Sequence, residues 1–232
     1  MAPSRSSGSS SRGGLIRKSP EVVSRRRNDD RPIRRRGPTR QPKIRILIVC
    51  EGKLTEPEYF RAFQQSARNP RVHLEVAKET GVPLTVVQEA MHHKEAAAQE
   101  ARRQHDENLC WDEVWAVFDV DEHPNLDKAR QLASTSGILL AVSNPCFELW
   151  ALLHFQDQRA HCERDKARAA LQRHLPRYDK SLDFAKMHPH YDEAVQRAKA
   201  LDREAAVHKG PGRNPTTGVY QVTESIRLGE RA

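Results

Sequence analysis

Two short apolar runs that end abruptly in acid constrain this chain of 232 residues more than any other feature. The first passes from Ile44 through Val49 and Cys50 into Glu51-Gly52, and the second from Val114 through Phe118 into Asp119-Val120-Asp121. Continuous Val- and Ile-rich runs of this length suit strands buried on both faces of a parallel sheet. Acids at the carboxyl ends of such strands point into the crevice where open α/β sheets bind ligands. Carboxylates meeting there repel one another unless a cation lies between them. The pattern therefore predicts a divalent metal site, Mg²⁺ or Mn²⁺, for phosphodiester chemistry.

The charge is unevenly spread. The chain carries a formal net charge of +8, yet its first 43 residues hold 13 Lys and Arg against 3 Asp and Glu. They net +10, and the rest of the chain nets −2. This leading segment is rich in Ser, Arg, Gly and Pro and has too few apolar residues to offset its ordering entropy, so residues 1–42 read as a disordered basic tail. Arg25-Arg26-Arg27 and Arg34-Arg35-Arg36 suit a phosphate backbone held without sequence readout. No run approaches the roughly 18 apolar residues of a membrane span, so a cytoplasmic protein without a membrane partner is expected. The four cysteines form no CxxC pair and are expected to be reduced, with Cys50 and Cys146 in the core.

Residues 43–232 read as one domain, with an α/β core at 43–156 and a helical extension at 157–232. Strands are expected near 44–50, 72–76, 114–119 and 137–143, with helices between them, which defines a mostly parallel four-stranded sheet flanked by helices. Thr55 with Glu58 has the spacing of a capping box. Asn144 is expected to cap, and Pro145 to open, an apolar helix reaching Phe155. Helices are predicted at 164–174, 191–207 and 219–228.

Asp119 and Asp121 are the first metal candidates, because residues i and i+2 of an extended chain point the same way. Mg²⁺ is typically held by one or two carboxylates plus substrate phosphates and water. Glu51, on a second strand end, either faces solvent or joins them, where it can bind metal or move protons. Glu148 is a further metal candidate, although an acid in the first turn of a helix is favoured by the dipole whatever its role. Charge building on nonbridging oxygens needs a cation, for which Lys180 and Lys53 are candidates. Gly52, Lys53 and Asn144 complete the substrate-binding set.

An apolar strand ending in Glu-Gly, followed later by one ending in DxD, resembles the Toprim domain of topoisomerases, primases and OLD-type nucleases. Within that group, Cys50-Glu51-Gly52 with Thr55-Glu56 and Tyr59-Phe60, then Phe118-Asp119-Val120-Asp121, resembles the RloB-like family. So do Asn144-Pro145-Cys146-Phe147-Glu148-Leu149-Trp150 and the closing Asn214-Pro215-Thr216-Thr217-Gly218. The resemblance spans roughly residues 44–228. It implies a Toprim-like fold, Glu51 as general acid or base, and Asp119 and Asp121 on Mg²⁺. It also matches Lys180 to a Tyr-x-Lys element, and implies an AAA-type ATPase partner in bacterial anti-phage (abortive infection) defence. Metal-dependent nuclease action on nucleic acid then follows by analogy with OLD nucleases. Two alternatives stay open: a HAD-like phosphatase with Asp119 as nucleophile, and a non-catalytic subunit that binds nucleic acid or the ATPase.

Overall fold

The computed structural model describes residues 43–77, 81–120, 125–207, 210 and 212–229. The predicted tail at 1–42 lies outside them, and so does Asp121. The elements run β1 (Ile44–Cys50), α1 (Thr55–Ala67), β2 (Val72–Val76), α2 (Pro83–Gln104), β3 (Glu113–Asp119), α3 (Leu126–Ser136) and β4 (Leu139–Asn144). Then follow α4 (Phe147–Leu153), α5 (Arg164–His174), α6 (Phe184–Met187), α7 (Tyr191–Val207), β5 (Thr216–Thr217) and α8 (Val219–Leu228).

The sheet has five strands in the order β2-β1-β3-β4-β5. The first four are parallel, and β5 runs antiparallel to β4 through Ser143↔Thr217 and Asn144↔Thr216. The four-stranded expectation is therefore corrected to five. A two-residue strand has no room to display alternation, so no periodic signal marks it. Its close approach is permitted by Gly218, whose backbone amide donates to the Val142 carbonyl at 2.9 Å. A Cβ at Gly218 would lie 3.2 Å from the Ala141 Cα, against backbone that cannot yield.

Alternation along each strand feeds two cores. Ile46, Ile48, Cys50, Trp115 and Val117 pack with the aromatic side chains of α1 and α4 and with α7 and α8. Leu47, Val49, Val114, Ala116 and Phe118 face the other way, onto α2 and α3. Burial on both faces is why these strands read as unbroken apolar runs. Helices on the two faces leave the carboxyl edge of the sheet open, and there β1 and β3 lie side by side with Cys50 opposite Val117.

Two local readings change. Thr55 is the first residue of α1 rather than its cap, and its hydroxyl donates to the Lys180 carbonyl at 2.7 Å. The apolar helix begins at Phe147 after Cys146, so Asn144 does not cap it but ends β4. All four cysteines are free thiols, and Cys50 and Cys146 are fully buried as expected. Among the described residues no helix is long and apolar enough to cross a membrane.

Candidate functional site: an acidic cleft at the carboxyl edge of the sheet

The strand ends expected to converge do so for β1 and β3. The Asp119 backbone amide donates to Glu51 Oε2 at 3.0 Å, and the Glu51 amide donates to the Val117 carbonyl at 2.9 Å. Glu51 is thus fixed across the gap between the two strands by the very residue whose carboxylate it approaches.

Two more acids enter the same cleft of about 390 Å³, Glu56 from the first turn of α1 and Glu148 from the first turn of α4. Glu56 is 8 % exposed. Its carboxylate lies over Gly52, in the space a Cβ there would occupy. A side chain at position 52 would therefore displace this carboxylate from where it lies. Burial pushes the Glu56 carboxyl above its ordinary value against the pull of its own backbone amide; Glu148 and Glu51 raise it further, and Lys180 lowers it. Tyr178 donates its hydroxyl to Glu148 Oε1 at 2.8 Å, which orients that carboxylate.

Asp119 experiences the strongest field. Burial first, then Glu56, Glu51 and Glu148, hold its carboxyl well above the usual carboxylate range, with Arg164 opposing them. Arg164 Nη2 stands 3.3 Å from Asp119 Oδ2. It opens α5, and only tertiary packing brings it here from 45 residues away. Beneath the acids lie the thiols of Cys50 and Cys146, both driven upward by burial and, more weakly, by the carboxylates above them. Such thiols are inert.

Lys180 reaches the rim of the cleft from a backbone with φ of 66°. A non-glycine residue in the left-handed region costs about 1 kcal/mol, and here the Thr55 hydroxyl bonding to its carbonyl holds it. Gly52 and Lys53 line the same cleft. Asn144 turns its side chain to the Gly212 carbonyl at 2.7 Å and anchors the C-terminal segment against β4. From the sequence, Glu56 enters only through the family resemblance, with no site role, and Arg164 has none either. Glu56 could have been found from its place in Thr55-Glu56 directly after Glu51-Gly52; nothing local marks Arg164.

The donor set suits a hard divalent cation, since it consists of carboxylate oxygens only. Among the described residues no three acidic, His or Cys side chains stand close enough to hold an ion together. One or two carboxylates completed by water and phosphate typically hold Mg²⁺, and the repulsion that adds to burial in raising Asp119 and Glu56 is what such an ion would relieve.

Fold and site together define an α/β protein with a mostly parallel sheet and a cluster of interacting acids at its carboxyl edge. The family model described as RloB-like protein matches residues 46–226, and the chain belongs to that family. No curated protein and no solved structure matches it.

Proposed function

We propose that this protein is a metal-dependent nuclease with a Toprim-like site, cutting nucleic acid in bacterial anti-phage defence beside an AAA-type ATPase. The chemical part of this reading is carried by one observation: the Asp119 amide grips Glu51 while Glu51 and two other carboxylates, Glu56 and Glu148, act on the Asp119 side chain. The biological setting rests on the family resemblance.

A bound Mg²⁺ or Mn²⁺ would neutralise the attacked phosphate and lower the pKa of a water nucleophile. Asp119 is the ligand proposed from the described residues, with Asp121 beside it in sequence and Glu148, oriented by Tyr178, as a further candidate. Glu51, held by a backbone amide, is placed to take or return a proton. Burial raises the Glu56 carboxyl above its ordinary value, and Glu56 is the candidate to give a proton to the departing oxygen. Lys180 and Arg164 supply positive charge at the rim for the nonbridging oxygens, Arg164 in the planar form that pairs with phosphate. The phosphatase alternative has its own test: release of phosphate from small monoesters, with a phospho-aspartate trapped at Asp119, supports it. The binding-subunit alternative is separated by experiment. Plasmid and RNA are incubated with the purified chain and Mg²⁺ or Mn²⁺, with and without an ATPase encoded nearby. Cutting that disappears in Asp119→Ala supports the nuclease. Metal binding without cutting in any mixture supports the binding subunit.

A further inference from the structure

A nucleic-acid strand cannot be held by an acidic cleft alone. The acids at the sheet edge repel phosphates, and the chain beyond residue 43 nets −2. Cleavage there calls for positive charge nearby, beyond Lys180 and Arg164 at the rim and the basic leading segment.

Among the described residues, a cleft formed in part by the segments before α5 and β5 offers such charge. It has a volume of about 430 Å³ and is lined by Arg159, His161, Glu204, Arg213 and Asn214, among others. Its two walls, the segment before α5 and the segment before β5, are joined by a single side chain. Asn214 accepts from the Cys162 amide through Oδ1 at 2.8 Å and donates through Nδ2 to the Cys162 carbonyl at 2.7 Å. The second wall is anchored again where Asn144, at the carboxyl end of β4, donates to the Gly212 carbonyl. This is the part of the Asn214-Pro215 motif that the acidic site does not use.

The first wall leads straight to the acids. Arg164, paired with Asp119, is two residues beyond Cys162 and three beyond His161. Three Cα steps span at most about 11 Å, the length of roughly three stacked nucleotides at 3.4 Å each. Arg159, His161 and Arg213 are all exposed. Arg159 is steadied by Glu204 at 2.8 Å, while Arg213 has no ion-pair partner among the described residues. The arrangement puts two exposed arginines on one cleft, Arg159 held by Glu204, with Asn214 tying its walls together at Cys162, two residues before Arg164.

We propose that this cleft seats a sugar-phosphate backbone flanking the cleaved bond, with Arg159 and Arg213 contacting phosphate and Asn214 holding the two walls in register. The assignment rests on the nuclease reading, and the test separates the two. Binding of the full chain to fluorescein-labelled single-stranded DNA and RNA is followed by anisotropy in EDTA over a range of salt concentrations. The variants are Arg159→Ala/Arg213→Ala, its Lys/Lys counterpart, and Arg102→Ala, an exposed arginine at the end of α2 as control. The alanine pair is expected to bind about tenfold more weakly at 0.1 M salt and to reduce the salt slope by about 1.4, since each phosphate contact on a single strand contributes about 0.7. The lysine pair restores most of the slope, because charge rather than wall structure is what is lost. Arg102→Ala changes little. An alanine pair indistinguishable from Arg102→Ala overturns the seat, even if the wild type cuts nucleic acid with Mn²⁺. A reduced slope together with a wild type that never cuts retains the seat and overturns the nuclease. Equal losses on DNA and RNA assign the contact to phosphate, and a loss larger on one assigns a part to the sugar; both support the seat.

Discussion

The two ends of β3 carry acids in opposite settings, one buried and one partly buried. Glu113 opens the strand at 4 % exposure, and its Oε2 accepts from the Trp115 indole N–H at 2.8 Å and from the Ser225 hydroxyl at 2.7 Å. Asp119 closes the same strand with its side chain 15 % exposed, facing Arg164 and three other carboxylates. Neutral donors aimed at Glu113 make its burial favourable and tie β3 to α8. Like charges aimed at Asp119 make its burial costly. A protein keeps such a cost where the site needs it. One strand therefore shows a carboxylate met by neutral donors and one met by like charge, told apart by what surrounds them.

The contrast can be broken most directly through activity. Asp119→Ala is expected to lower plasmid or RNA cleavage by about a thousandfold, or roughly 4 kcal/mol of barrier, while Glu113→Gln leaves cleavage within a few-fold. Equal losses would erase the distinction. Stability should invert the order. Glu113→Ala strips the acceptor from two buried donors and is expected to cost about 3 kcal/mol in urea unfolding. Asp119→Asn removes a repelled charge and is expected to stabilise the fold by about 1 kcal/mol. A destabilised Asp119→Asn would mean that the pairing with Arg164 outweighs the repulsion.

Divalent ions sharpen the same contrast. Mn²⁺ at a hundredfold excess over its Kd stabilises by about 2.7 kcal/mol, so the melting temperature of the wild type should rise on adding it and that of Asp119→Asn much less. Similar rises in both would place the ion elsewhere. The smallest effect is in pH dependence without metal. Asp119 and Glu56 have folded pKa values above their unfolded ones, so the folded state binds more protons in that window. Their destabilisation is full above the folded values and is relieved as pH falls through them toward 3.8 and 4.5. His154 acts against this. It is 2 % exposed, and burial lowers it to about 4, so it subtracts stability as pH falls from 6.5 toward that value. The difference in melting temperature between Asp119→Asn and wild type cancels the His154 contribution. That gap should narrow between pH 7 and pH 4; a constant gap contradicts the repulsion.

Lys180 and Asn144 illustrate how far sequence reading extends. Both were chosen as site residues; Lys180 reaches the cleft, and Asn144 spends its amide on Gly212. An Asn before Pro-Cys-Phe can cap a helix, contact substrate or hold a distant loop, and its local pattern is the same in each case. Helices α5, α7 and α8 begin and end where their periodicity predicts. The two-residue β5 escaped, because it is a strand only by virtue of lying beside β4.

Local chemistry was written plainly enough to identify the strands, the acids at their tips, the long helices and the basic leading segment. Each follows from a short run of residues that has to be buried or kept in water. Which acids meet was set by strand order, since the packing of crossover helices on both faces put β1 next to β3. The entry of Glu56 and Arg164, and the different fates of Glu113 and Asp119, were likewise set by packing. A charge in a folded protein acquires its energy from neighbours that are remote along the chain, and no stretch of sequence carries that information on its own.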